Sequence, residues 1–210
     1  SPSRYRASAV RYGVPVPMID PRQSLARRPR RVLVAGTSGA GKTTLAARIA
    51  TLLGIEHVEI DALYHGSNWI PRDQFLTDVE EFSSRPQWVT EWQYGNVRDL
   101  LADRADLLVW LDLPRATVMR QVTARTIRRR LRREVLWNGN IEPPLRRFLL
   151  DRDHIVRWAW TTHHKSELRI SALAQRRSDL TIVRIRSRAD VEHWFAGPLV
   201  GTLASDSDGK

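Results

Sequence analysis

Eight consecutive residues, Gly36-Thr37-Ser38-Gly39-Ala40-Gly41-Lys42-Thr43, have the types and spacing that grip phosphate. Glycines let the backbone wind tightly, so that successive N–H groups point inward at an anion. A helix start at this point adds N–H donors with no intrahelical partner and positive dipole character. Lys42 places a point charge near the outer phosphates, the Thr43 hydroxyl suits Mg2+, and Thr44 continues the cradle into the helix. The bland alternative is a glycine-rich turn between a strand and a helix. The context favours the cradle, because an apolar run, Arg31-Val-Leu-Val-Ala35, precedes it and a helical pattern over Lys42–Leu53 follows.

A second acid completes such a site. Asp112 ends the apolar run Leu107–Leu111, where a carboxylate would lie beside the cradle and hold Mg2+ through water. It also sits just before Pro114, where an acid caps a helix start, and the two roles are compatible. Two further acids end β-rich runs: Asp61 after Val58–Ile60 and Glu91 after Trp88–Thr90. Ligands bind outside the carboxyl ends of parallel strands, so the three acids converge on one edge. Asp61 is the candidate base for a hydroxyl acceptor, and Glu91 the candidate for orienting it. Tyr64, His65, Trp69, Trp92 and Tyr94 supply walls or stacking surfaces for a planar acceptor, or else pack the edge of the core. Arg98 is a candidate for an acceptor phosphate. Arg186 or Arg188, after the last strand, is placed to stack on a nucleotide base.

Seven arginines (Arg120, Arg125, Arg128, Arg129, Arg130, Arg132 and Arg133) fall within fourteen residues with no acid between them. Arg125 and Arg129 share a helical face. With the polar, Gly/Pro-bearing stretch 134–147, this is the pattern of a closing lid over about 120–147, whose arginines offset charge on a transferring phosphoryl group. A solvated face and a grip on nucleic-acid phosphates remain open as alternatives.

The elements that position these residues alternate along the chain. Helical patterns follow at Pro71–Ser84, Val97–Asp103, Pro114 to about Arg133, Asp151–Gln175 and Ala189–Phe195, with a fifth strand at Leu180–Ile185. Strands alternating with helices make βαβ units, hence a parallel sheet with helices on both faces. The expected organisation is a basic extension over 1–30, a single domain over 31–198, and a frayed tail over 199–210.

Composition bounds the rest. The chain has 210 residues, no cysteine and a net charge of +11. The absence of cysteine excludes disulfides, a thiol nucleophile and Cys-type metal sites, and fits a reducing, cytoplasmic compartment. Of the 34 basic residues, 31 are Arg, and the first 31 residues carry +7 of the charge. A basic surface for nucleic acid would therefore rest mainly on that extension. No apolar run approaches the ~20 residues of a membrane span, and residues 1–31 hold no continuous apolar core of the signal-peptide kind.

From about residue 31 to 196 the chain resembles the P-loop kinases of the nucleoside monophosphate kinase type, and more closely the adenylate-kinase-related topology modulation proteins. Gly36–Thr43, Asp61-Ala-Leu-Tyr64, Trp88 to Tyr94, Arg104-Ala-Asp106 with Leu111-Asp-Leu-Pro114, the arginine helix and Trp158-Ala-Trp160 carry the resemblance. That family typically has Asp-Gly-Asn-Tyr after its third strand. Here the stretch is Glu91-Trp-Gln-Tyr94, and Trp92 in place of Gly narrows the room for a plain AMP-type acceptor. The resemblance implies a three-layer P-loop NTPase fold with a five-stranded parallel sheet of order 2-3-1-4-5. The expected activity is transfer of a phosphoryl group from Mg-ATP to a small nucleotide or nucleoside-like acceptor. The alternative is an ATP-binding regulator that contacts DNA or RNA through its arginine-rich segments. No membrane partner is expected.

Overall fold

The computed structural model describes residues 18–65, 71–132 and 165–205, with side chains at 122, 125–132 and 205 outside the description. Six strands form one parallel sheet: β1 (Met18–Ile19), β2 (Arg31–Gly36), β3 (His57–Val58), β4 (Trp88–Glu91), β5 (Leu107–Leu111) and β6 (Thr181–Ile185). Their order across the sheet is β1-β6-β5-β2-β4-β3. Helices α1 (Lys42–Leu53), α2 (Ile60–Tyr64), α3 (Phe75–Ser84), α4 (Arg98–Arg104) and α5 (Arg115–Arg132) connect them, and residues 165–176 are also helical. Helix Arg188–Trp194 follows β6.

β2 and β5 are buried on both faces, which is why each reads as an almost unbroken apolar run. Alternation splits their side chains between two layers. Val32, Val34 and Val109 face α1, through Leu45, Ile49 and Leu53, together with Trp194 and Leu199. Leu33, Leu108 and Trp110 face α3, α4 and Ile170 and Leu173 of the helix over 165–176. Burying each large aliphatic side chain contributes about 1.5–3 kcal/mol, so the core fixes the edge on which the cradle sits. β2 lies between β4 and β5, and the chain leaves its carboxyl end straight into the glycine turn.

Four expectations are corrected. The sheet has six strands, not five in the order 2-3-1-4-5, because the basic extension contributes β1. Met18 and Ile19 pair in register with Ile182 and Val183, and Leu25 packs against the α1-side core. The Arg28 guanidinium donates to the Leu53 carbonyl, at the carboxyl end of α1. Counted in chain order without β1, the other five run 2-3-1-4-5. Second, Asp61 does not end a strand. β3 stops at Val58 and Asp61 lies in the first turn of α2, because the buried Glu91 carboxylate accepts the Ile60 N–H and turns the chain out of the sheet. Third, Pro71 does not open a helix; it bridges His65, and α3 starts at Phe75. Fourth, residues Val200–Ser205 are helical rather than frayed, with Leu199 and Thr202 buried. Among the described residues no helix is long and apolar enough to cross a membrane. The segment 1–17, Trp69, the lid stretch 133–147 and Trp158-Ala-Trp160 lie outside the described residues.

Candidate active site

The cradle follows from three backbone requirements. Gly39 and Gly41 have φ of 83° and 96°, in the left-handed region that glycine occupies without strain. Gly36 has a positive φ of 154° and a second requirement: a Cβ there would lie 3.1 Å from both the Cβ and the carbonyl oxygen of Leu111 on β5. The Ala40 N–H donates to the Thr37 carbonyl at 3.1 Å and closes the turn. α1 then begins at Lys42 with Gly41 as its cap residue, without a side-chain cap and with no acid in its first turn. The first amides of a twelve-residue helix therefore face the turn without a side-chain competitor, the condition for holding an anion. Lys42 folds back across the loop, its Nζ 3.3 Å from the Thr37 carbonyl oxygen. Thr43 is half-buried, whereas Ser38 and Thr44 are exposed.

Beside the cradle the carboxyl end of β4 builds a second cluster. The Trp92 N–H donates to the Val34 carbonyl at 2.9 Å, tying the residues after β4 to the strand that feeds the cradle. Glu91 is 1 % exposed. One of its oxygens lies 3.1 Å from His57 Nε2 and the other accepts the Ile60 N–H at 3.2 Å. Burial pushes its carboxyl up, but the hydrogen bonds from His57 and Ile60 and the charge of His57 outweigh this and hold it below the usual carboxylate range. Its contacts are those of a residue that sets the angle of α2. Sequence reasoning gave it an acceptor and missed His57, whose signal was its place at the start of a two-residue strand.

Asp61, on α2, is held from the other side. Its Oδ1 accepts from Gln93 Nε2 at 2.8 Å and from the Tyr94 hydroxyl at 2.5 Å. Tyr94 is the only non-glycine described residue with positive φ, at 57°. Its hydroxyl also lies 3.2 Å from His65 Nε2. Burial, followed by the hydrogen bond to Asp61, raises the Tyr94 phenol well above its ordinary value, so it stays a donor. Tyr64 stacks on Tyr94 with ring centroids 4.0 Å apart, and Phe75 meets both edge-on. Asp61, Tyr64 and Tyr94 thus come together as one cluster. Gln93 was not singled out by sequence, although it sits between two residues that were.

Arg98 is half-buried, 5.7 Å from the Trp92 ring, and Trp92 Nε1 donates to its carbonyl at 3.0 Å. Burial, then the nearby charge of Arg169, lowers its pKa from the ordinary arginine value. On the other flank, Asp112 Oδ2 is bound by Arg184 Nε at 2.8 Å and Nη2 at 2.6 Å. Arg188 is exposed at the start of its helix. Arg125 and Arg129 lie on the α5 backbone, and their side chains fall outside the described residues. The Thr43 hydroxyl and the Asp112 carboxylate are hard oxygen donors suited to Mg2+ that keeps its waters and ligand phosphates.

No protein-family model matches the chain, and no curated protein is significantly similar to it. Among solved structures it is similar to a gluconokinase from Sinorhizobium meliloti 1021, with 20 % identity, 88 % of this chain and 99 % of that one covered, and a TM-score of 0.45. A sugar kinase from Janibacter sp. HTCC2649 gives 21 % identity, coverage of 85 % and 94 %, and a TM-score of 0.45. Shikimate kinase from Acinetobacter baumannii in complex with shikimate gives 16 %, 86 % and 96 %, and 0.47.

Proposed function

We propose that the chain is a phosphotransferase. Gly36–Thr43 holds the phosphate tail of ATP, and the γ-phosphoryl passes to a small acceptor bound at Asp61. The observation that carries this reading is the start of α1: a helix with no side-chain cap, entered through two left-handed glycines, with Lys42 folded over the loop. Lys42 and the backbone amides stabilise the outer phosphates. Mg2+ bound by Thr43 and Asp112 would supply charge neutralisation across the transferred group.

A phosphate acceptor needs cationic clamps, whereas a hydroxyl acceptor profits from a carboxylate that takes its proton. In this reading Asp61 serves the second. Its neutral donors, Gln93 and the Tyr94 phenol, orient one oxygen without cancelling the charge. The Tyr64–Tyr94 stack beside it suits a flat, nucleoside-like acceptor, in line with the family that the sequence resembles. β3, next to α2, stands two strand spacings from β2, about 10 Å, a distance that a small acceptor bridges.

The test is ADP release from ATP and Mg2+ across a panel of nucleosides, nucleotides and hydroxylated metabolites. An acceptor-dependent signal absent from Lys42→Ala is expected. Asp61→Asn should lower turnover with a hydroxyl acceptor by about 10²–10⁴-fold and leave ATP affinity unchanged. No acceptor-dependent turnover, together with no ATP binding, overturns the reading.

A further inference from the structure

Arg184 stands opposite Trp110 in the β5–β6 register, so the two side chains share a face of the sheet. Its guanidinium lies 4.5 Å from the centroid of the Trp110 ring. From there it reaches Asp112 Oδ2 through two nitrogens, at 2.8 and 2.6 Å. The Asp112 side chain is 7 % exposed and that of Arg184 29 %. Arg186 Nε stands 4.0 Å from the same oxygen but is largely in solvent. Taking a carboxylate out of water is costly unless a positive partner lies beside it. Arg184 is such a partner, held in place by its strand and by the indole beneath it. A divalent cation held at the Oδ2 atom that faces the guanidinium, directly or through a water, sets two positive charges against each other.

Resting on the metal-side role of Asp112 in the proposed function, we propose that Arg184 is the built-in counter-cation of Asp112, and that a divalent cation engages this carboxylate only in competition with it. Arg184 is a positioning residue. In the nucleotide-free protein it neutralises Asp112 and keeps cation affinity low. A cation that arrives with a triphosphate brings the extra ligands needed to win the competition, so cation binding is coupled to nucleotide binding.

The test is titration of the nucleotide-free full chain with Mn2+, followed by the electron paramagnetic resonance of the free ion. The variants are Arg184→Met, which keeps a stem over Trp110 and removes the charge, Asp112→Asn, and the double variant. Arg184→Met is expected to bind Mn2+ about tenfold more tightly than wild type, and Mn2+ should raise its melting temperature more than that of wild type. The gain should vanish in the double variant. Arg184→Lys, which keeps a charge but loses the fork, should fall between and serves alone if Arg184→Met does not fold. Unchanged or weaker Mn2+ affinity in a folded Arg184 variant overturns the proposal, as does a gain that survives Asp112→Asn. Binding of Mn2+ and ATP together to wild type, measured in parallel, judges the proposed function separately: its failure removes the nucleotide site, whereas the nucleotide-free comparison judges the competition alone.

Discussion

Tyr94 and Asp61 stand 33 residues apart in the chain and meet at 2.5 Å, phenol to carboxylate. The contact spans two layers of the site, since Asp61 rides on α2 and Tyr94 on the segment leaving β4. It aims the carboxylate, and the left-handed Tyr94 backbone is held by what its ring and hydroxyl touch.

Tyr94→Phe keeps the ring stack and removes the donor. Urea unfolding should report a loss of about 1–2 kcal/mol. ATP affinity should not change, because the cradle is built from other residues. An equal loss of ATP affinity would mean that the two clusters are not separable.

Lys42→Ala removes a cation that reaches over the turn to within 3.3 Å of the Thr37 carbonyl oxygen. Titration with a fluorescent ATP analogue should show affinity lower by about 10–100-fold, consistent with loss of a charged contact worth roughly 1.5–3 kcal/mol. Thermal stability should hardly move, since the side chain is only half-buried.

Two glycine substitutions differ in what a new Cβ meets, although both sites have positive φ. Gly36→Ala drives a Cβ against backbone and side chain of Leu111, and should cost about 1–3 kcal/mol of stability. Gly41→Ala meets nothing within 4 Å, so its cost is the strain of φ 96° alone, and its main effect should be on nucleotide binding. Chemical denaturation and nucleotide titration of both variants check this. Equal stability losses would contradict it.

Glu91 makes stability depend on pH with a definite sign. Its carboxyl is held below the ordinary value of 4.5, so its contribution is fully present above that value and is lost as pH falls through the lower folded one. Denaturation midpoints from pH 7 to 3 should fall below about pH 4.5. Glu91→Gln should start about 3 kcal/mol less stable and show a shallower fall over the same window. A parallel fall would assign the pH dependence to other carboxylates.

Much of the fold was legible because its signals are local. The cradle is eight adjacent residues whose glycines state their own backbone needs, and β5 announces double-sided burial by its composition. The acids at Asp61, Glu91 and Asp112 were found by their place near strand ends, but their roles were not equally legible. Glu91 looked like Asp61 in sequence, and only its burial against His57 and Ile60 distinguishes them.

The sequence by itself determined where a phosphate tail can be held, since a short loop carries its geometry within its own residues. Tertiary structure alone decided which distant groups complete the site. Met18–Ile19 is too short to show a period and becomes a strand only because the edge of β6 offers it hydrogen bonds. Arg184 lies 72 residues from Asp112, and neither residue marks the other; strand order brings them together, because adjacent parallel strands set their carboxyl ends side by side.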